Sequence, residues 1–254
     1  MTAKSKSAAL WDQYWREPDN ELLRVYADAL EQEGDPRGRF IQLSLAEKRD
    51  EAGVWERKHG GNLVGAAKMF LRQWRFADNG TVESARTELP NLVNGLELIN
   101  RVSPRLILEL TSIRTLADAR AFGKLSPSSL GKIYMLDFAC AVTDSQLATM
   151  APAFSELRHL SLTCRGKPKT CFSPDGLRAL GTRAPKLRFL WIEHRQYGGR
   201  PVAEFARAIA ETFPALEALE FSQATQRDLG TRKLELNTLV NRSDRAMKIE
   251  KLLG

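Results

Sequence analysis

A hydrophobic pattern that recurs at a nearly constant period dominates the second half of the chain. Each copy has the form L-x-x-L-x-L and is followed by an amphipathic helical segment. The clear copies are Leu130/Ile133/Met135, Leu157/Leu160/Leu162, Leu187/Leu190/Ile192 and Leu216/Leu219/Phe221. A weaker copy occupies residues 105–110. The middle apolar positions, 25, 27, 30 and 29 residues apart, are Leu108, Ile133, Leu160, Leu190 and Leu219. Such a period predicts a solenoid.

Each copy alternates like a β-strand that buries one face. Leu160 and Leu162 point to one side of an extended segment, whereas His159 and Ser161 point to the other side. Because a single strand and helix of this length cannot enclose a core, neighbouring units have to cover its flanks. We therefore predict an α/β fold, in which a short solenoid has parallel strands inside and helices outside.

Signals for helix starts follow the strands. Thr143 with Gln146 three residues later matches a capping box, and Ser173 before Pro174 combines a cap with a first-turn proline. A third start is marked by Pro201 alone. Apolar residues at helical spacing follow each start, so each helix carries one apolar stripe that faces the strands.

These residues together resemble a known repeat family. Val142-Thr143-Asp144, Leu147, Ala151-Pro152 and then Leu157-x-x-Leu160-x-Leu162 are similar to the helix-bearing, ribonuclease-inhibitor-like leucine-rich repeat. The resemblance covers roughly half the chain. Where that family often has Asn or Cys after the strand, this chain has Phe138, Arg165 and Arg195, so the loop backbone has to satisfy its hydrogen bonds in another way.

A second resemblance lies near the N-terminus, where three short helical segments precede residue 50 and make a small all-α unit. The stretches Glu17–Asn20, Leu23–Glu31 and Gly34–Leu43 resemble the repeat-companion domain, which is found at the N-terminus of many bacterial proteins that continue into repeats. Two departures are Ala29, where an aromatic residue is usual, and Arg39, where an acid is usual. The resemblance implies a bacterial protein in which a repeat solenoid follows this unit in the sequence.

The sequence thus divides into a helical unit (8–50), a connecting and capping segment (51–104), a solenoid of about five repeats (105–221) and a basic C-terminal cap or tail (222–254). Within the connecting segment we expect one helix through Leu63, Ala67, Phe70, Leu71 and Trp74. In the tail we expect helices at Leu234/Leu236/Leu239/Val240 and at Met247/Ile249/Leu252/Leu253.

Composition bounds the class of protein. The chain has 254 residues, of which 43% are hydrophobic and 27% charged, as in ordinary globular proteins. There is no apolar run long enough to cross a bilayer and no signal-peptide pattern, so we expect a cytoplasmic protein without a membrane partner. Cys140, Cys164 and Cys171 are an odd number without a C-x-x-C pair, which favours free thiols in a reducing compartment.

Register alone predicts which side chains face outward from the concave strand surface. Acidic and aromatic residues mix there, and they make a candidate partner-binding surface: Glu109, Tyr134, His159, Ser161, Phe189, Trp191, Glu193 and Glu220. The same register also turns Leu136 outward. Rigid exposed aromatic residues are typical of protein-binding hot spots. The alternative is that Tyr134, Phe189 and Trp191 pack sideways on one another.

The loops after the strands form a second candidate surface. Positive charge collects on this basic edge at Arg165, Lys167, Lys169, Arg195 and Arg200. The net charge of +7 is concentrated there and in the tail, since residues 151–254 carry 18 Lys and Arg against 11 Asp and Glu. Such an edge could bind phosphates or an acidic protein. The alternative is a solvated loop edge, because nearby Glu109, Glu193 and Glu220 would repel a nucleic acid.

Catalytic patterns are sparse. The sequence has no G-x-S-x-G, no H-E-x-x-H and no phosphate-binding glycine loop with lysine, and we expect no cofactor, metal or small-molecule substrate. The best enzyme candidate would be Cys164 near His159 or His194, but a half-buried structural cysteine is the commoner explanation. Our leading hypothesis is a non-catalytic scaffold or adaptor that binds a protein or peptide on the concave face. The alternative is a nucleic-acid-associated protein that uses the basic edge and the tail.

Overall fold

The computed structural model describes residues 6–164, 171–194, 202–224 and 229–235. The protein is α/β, with one mostly parallel, eight-stranded sheet and helices that precede the strands and connect them. The strands of the sheet follow one another in chain order from β1 to β8. Each strand therefore pairs with the strands immediately before and after it in the sequence, which is the arrangement that short strand-helix units favour.

In the described part of the chain, helices α1 to α4 precede the first strand: α1 (Lys6–Arg16), α2 (Asn20–Gln32), α3 (Pro36–Leu45) and α4 (Arg49–His59). The Asp19 carboxylate accepts hydrogen bonds from backbone N–H groups at the start of α2, and Asp35 caps α3 ahead of Pro36. A Cβ atom on Gly38 would overlap the carbonyl oxygen of Ala27. Helices α2 and α3 therefore pack with their backbones in contact, which only glycine allows.

The sheet is parallel in its interior and antiparallel at both ends. Strands β2 to β7 are parallel to one another, whereas β1 pairs antiparallel with β2 and β8 pairs antiparallel with β7. The strands are β1 (Gln73–Phe76), β2 (Val82–Thr87), β3 (Ile107–Leu110), β4 (Met135–Phe138), β5 (His159–Cys164), β6 (Phe189–His194), β7 (Ala218–Ala224) and β8 (Leu229–Glu235).

Helices connect the parallel strands and form a second layer, in which α5 contacts α6, α6 contacts α8, α8 contacts α9 and α9 contacts α10. They are α5 (Leu89–Ile99), α6 (Leu116–Gly123), α7 (Pro127–Leu130), α8 (Asp144–Met150), α9 (Pro174–Gly181) and α10 (Val202–Thr212). The capping box of Thr143 and Gln146 is present at α8, and Ser173 caps α9, as predicted. Pro201 and the basic edge lie outside the described residues.

One file of leucines crosses the middle of the sheet and is completely buried. Pairing aligns Leu108, Leu136, Leu160, Leu190 and Leu219, and each has 0% of its surface exposed. Burying a leucine side chain stabilises the fold by about 1.5–3 kcal/mol. The leucines of the file and the apolar faces of the helices pack together in one hydrophobic core, which holds successive strands together.

The predicted register was wrong in the second repeat, where Leu136 occupies the file position assigned to Ile133. Two overlapping copies of the pattern exist there, Leu130/Ile133/Met135 and Ile133/Leu136/Phe138, and packing selects the second. After α7 the backbone makes further turns, with the N–H of Ile133 bonded to the carbonyl of Leu130. These turns delay the strand by three residues, and Ile133 is buried just before it.

Strands also occur where helices were expected. Residues Gly60–Met69 form a 3-10 helix, but Trp74 lies in β1 rather than in a continuation of that helix. In the tail, Leu234 lies in β8, while the remaining residues of the expected helices lie outside the described part of the chain. Both strands add an antiparallel edge to the sheet. At the edge of the sheet, β1 and β8 each form backbone hydrogen bonds with a neighbouring strand. The helical spacing of their apolar residues does not predict this pairing.

The N-terminal helices pack against the first strands and against the end of α5. Trp11 donates its indole N–H to the carbonyl of Arg101 at 3.0 Å. The rings of Phe40 and Phe76 pack edge to face with centroids 4.7 Å apart, which joins α3 to β1. Trp55 on α4 donates to the carbonyl of Pro36 at 2.9 Å. These contacts fix the N-terminal helices relative to the sheet.

Candidate functional site

Strand pairing brings most of the predicted partner-binding residues onto one face of the sheet. Glu109 pairs with Asp137, Asp137 with Ser161, Ser161 with Trp191, and Trp191 with Glu220. These five residues form a transverse row on the face opposite the helices, because side chains alternate along each strand and the leucine file lies on the helix side. We call this surface the open face.

Three rings lie side by side where β4, β5 and β6 begin, and we call Tyr134, His159 and Phe189 the aromatic row. The rings of Tyr134 and His159 have centroids 4.5 Å apart, and those of His159 and Phe189 are 6.1 Å apart. Tyr134 is 45% exposed, and the other two are half-buried. Tyr134 and Phe189 thus each contact His159 rather than one another, and the row keeps solvent-exposed surface.

A hydrogen bond fixes the middle ring of the aromatic row. Nδ1 of His159 lies 2.6 Å from the carbonyl oxygen of Tyr134. Because a carbonyl only accepts, we assign the proton of the neutral ring to Nδ1, which leaves Nε2 as an acceptor. Burial lowers the pKa of His159 below its usual value, and Arg158 and Arg188 lower it further, against the opposing effect of the Tyr134 carbonyl. His159 is therefore neutral at pH 7.

Tyr134 reaches the aromatic row from a position that the sequence register did not give it. It lies one residue before β4, so it is at the edge where the strands begin rather than on the open face of a strand. The strand position predicted for it belongs to Asp137, which sequence reasoning missed. The overlapping copy Ile133/Leu136/Phe138 was the signal that could have found Asp137, since it places the strand three residues later.

The centre of the open face is more deeply covered than predicted. Ser161 is only 2% exposed and Thr163 4% exposed. The prediction that Ser161 contacts a partner is therefore wrong. The sheet places it between two larger neighbours, Asp137 and Trp191, whose side chains shield the short hydroxyl. Leu136, which was expected to face outward, lies in the buried leucine file.

Trp191 and three carboxylates border this covered centre. Trp191 is half-buried, and its indole Nε1 is buried without a hydrogen-bond partner in the part of the chain that the structure describes. Asp137, Glu193 and Glu220 are also half-buried. The exposed part of the Trp191 ring offers a flat apolar surface, which suits a partner with apolar and cationic groups.

Ion pairs occupy part of the open face. Arg86 on β2 lies directly opposite Glu109 on β3, with Nη2 and Oε1 2.7 Å apart. Near the aromatic row, Nη1 of Arg188 lies 3.4 Å from Oε1 of Glu217. Glu109 therefore has a cationic partner within the chain, and the charge that it offers to a second molecule is reduced.

The remaining sequence candidates lie partly or wholly outside the described residues. These are the basic edge (Arg165, Lys167, Lys169, Arg195 and Arg200) and the side chains of Cys164 and His194. Contrary to the expectation of free thiols, Cys171 is disulfide-bonded, whereas Cys140 is a free cysteine. Burial raises the pKa of the Cys140 thiol, which makes it a poor nucleophile at neutral pH.

Metal-binding clusters and membrane-spanning helices are both absent from the described ranges. No group of three or more His, Cys, Asp or Glu side chains there is arranged to hold a metal ion. No helix among these residues combines the length and the apolar character needed to cross a membrane.

Comparisons of the chain with protein-family models, with curated proteins and with solved structures gave no match.

Proposed function

We propose that this chain is a leucine-rich-repeat-type solenoid with an N-terminal repeat-companion unit, and that it acts as a non-catalytic binding module for a protein or peptide. The observation that carries the proposal is the aromatic row. Tyr134, His159 and Phe189 come from three successive repeats, touch one another and remain partly exposed. Their place at the beginnings of three consecutive strands gives a second molecule a continuous surface of rings.

Such a row suits protein binding for a physical reason. Aromatic side chains bring a large contact area and lose little conformational entropy when they are already held in place. His159 is held by its bond to the Tyr134 carbonyl, and the strands hold the backbone. Charged residues surround the rings, since Arg158, Arg188 and Glu217 act on the titration of His159. Aromatic residues with a charged rim are the usual composition of an interface centre.

Charge favours a partner with cationic groups over a nucleic acid. The open face carries Asp137, Glu193 and Glu220 beside Trp191, and these carboxylates would repel a phosphate backbone. A protein segment with Lys or Arg would instead gain from a cation–π contact with the ring of Trp191. We therefore expect an extended, basic and partly apolar segment to lie across the strands.

Affinity capture with the full chain tests the proposal. Bound proteins are identified first, and each interaction is then measured with purified components. We expect Tyr134→Ala and Phe189→Ala each to weaken the authentic interaction about tenfold, because truncating a hot-spot residue costs 1–2 kcal/mol or more. Leu116→Ala is the matched control, since Leu116 is 44% exposed, close to the 45% of Tyr134, but lies on α6 in the helix layer.

Two results would count against the proposal. If neither aromatic substitution weakens binding while the variants remain folded, the aromatic row is not the contact surface. If nuclease treatment removes the captured species and affinity falls steeply with added salt, counterion release identifies a nucleic acid partner, as in the alternative that uses the basic edge.

A further inference from the structure

A cavity of about 200 Å³ lies where the N-terminal helices meet the sheet, far along the chain from the aromatic row. Its walls come from α1, α2, α3, the 3-10 helix Gly60–Met69, the β1–β2 turn and the end of α5. It is a crevice between the N-terminal helices and the sheet, and concave sites of this kind commonly bind ligands.

The walls are mostly apolar and carry positive charge. Trp11, Ile41, Leu63 and Val82 are among the apolar lining residues, and the charged lining residues are Arg37 and Arg101. Within the described chain, no Asp or Glu lines the cavity. An apolar chamber with cationic groups fits a small molecule that has an apolar body and a single negative charge.

The two arginines differ in how much charge they offer. Arg37 donates from Nε and Nη2 to the carboxylate of Asp35, with the shortest contact at 2.6 Å. Asp35 thus fixes Arg37 in position and offsets most of its charge. Arg101 is exposed and has no ion pair among the described residues, while its carbonyl accepts the indole N–H of Trp11. Arg101 therefore supplies the net positive charge at the cavity.

Tyr26 adds a polar group to the cavity wall. Its side chain lines the cavity, is 4% exposed, and forms no hydrogen bond with any residue in the described ranges. Burial raises the pKa of Tyr26 to about 12, so the hydroxyl keeps its proton at neutral pH. The hydroxyl oxygen of Tyr26 is not one of the fully buried, unpartnered atoms of the described chain, so it keeps access to the cavity and can donate a hydrogen bond to water or to a ligand there.

A glycine with positive φ borders the same space. Gly65 has φ +67° and ψ −146°, a conformation that is essentially restricted to glycine. It lies at a kink within Gly60–Met69, and a Cβ atom there would meet nothing within 4 Å. The kink therefore shapes this wall of the cavity and leaves open space beside Gly65.

From these observations we infer that the cavity binds a small organic carboxylate. Its carboxylate accepts hydrogen bonds from Arg101 and the Tyr26 hydroxyl, and its apolar part lies against Trp11 and Ile41. A carboxylate suits the site better than a phosphate because the net positive charge is close to one, whereas phosphate carries more than one negative charge at pH 7, and because apolar side chains line much of the wall. This inference is independent of the open face and of the proposed partner.

Isothermal titration of the full chain with benzoate tests the inference, with benzamide as a neutral molecule of the same shape. We expect benzoate to bind saturably and benzamide to bind at least tenfold more weakly. Arg101→Gln should weaken benzoate about tenfold, and Tyr26→Phe about three- to tenfold, since Phe keeps the ring that packs against Trp11 at 4.8 Å. Arg114→Gln, at an exposed arginine that does not line the cavity, should have no effect.

An NMR experiment locates the site independently of affinity. The indole N–H signal of Trp11 should shift on addition of benzoate, because this group lies at the cavity wall, whereas the signal of Trp191 should not. Four results would overturn the inference: no saturable benzoate binding, equal binding of benzoate and benzamide, unchanged affinity in Arg101→Gln, or inorganic phosphate binding as tightly as benzoate.

Discussion

Replacing Leu136 by alanine separates the two possible registers of the second repeat. In the register expected from the first overlapping copy of the pattern, Leu136 faces outward, and its truncation changes the free energy of unfolding by no more than about 0.5 kcal/mol. In the structure, Leu136 is 0% exposed and lies between Leu108 and Leu160 in the leucine file. The same substitution then removes carbon atoms from a closely packed core.

The expected magnitude follows from that burial. Losing three buried carbons costs about 2.4 kcal/mol at ~0.8 kcal/mol each. The cavity that remains between fully buried neighbours adds about 1–2 kcal/mol, because a sheet held on both sides by paired strands relaxes little. We therefore expect Leu136→Ala to lower the free energy of unfolding by about 3.4–4.4 kcal/mol and the melting temperature by roughly 10 °C.

Urea unfolding followed by circular dichroism measures this difference. Leu160→Ala serves as the positive control, since Leu160 is buried in the file in both registers, and Leu116→Ala serves as the exposed control. The reasoning is refuted if Leu136→Ala costs less than about 1 kcal/mol while Leu160→Ala costs about 3 kcal/mol or more. That result would mean that Leu136 does not belong to the file.

Two further perturbations test the packing and the titration of this molecule. Gly38→Ala should destabilise the N-terminal helices by about 1–3 kcal/mol, because the new methyl group meets the backbone of Ala27. Gly53→Ala on α4 should instead stabilise the protein by up to about 1 kcal/mol, because a Cβ atom there meets only the end of the Arg57 side chain at 3.6 Å. Urea unfolding of both variants and of the unchanged protein compares these free energies. Since the pKa of His159 is lowered on folding, the unfolded chain binds more protons, so stability should be full above pH ~6.5 and fall as the pH drops through and below that value. An NMR titration of the His159 ring measures the direction of its pKa shift. If the pH dependence of stability disappears in His159→Gln, that dependence comes from His159. A pKa of His159 above 6.5 would contradict the burial of its ring.

The aromatic row shows how far sequence reasoning reached into the candidate site. His159 and Phe189 were correctly placed on neighbouring strands from periodicity alone, because each apolar triplet there has a single consistent register. Tyr134 was placed on a strand but lies before one, and Asp137 was missed, since two overlapping triplets compete in that repeat. The burial of Ser161 was not predictable either, because it depends on the size of its neighbours on adjacent strands.

Local features could be read from the residues alone: the alternation of strand residues, the apolar stripes of the helices, and the caps at Thr143 and Ser173. Each of these depends on residues within a few positions of one another, where sterics and hydrogen bonding act directly. Three other features follow from packing in the folded chain: the leucine that enters the buried file, the antiparallel strands at both ends of the sheet, and the cavity that Tyr26 and Arg101 border. Those outcomes depend on contacts between residues far apart in the chain, whose free energies are set by the neighbours that folding brings together.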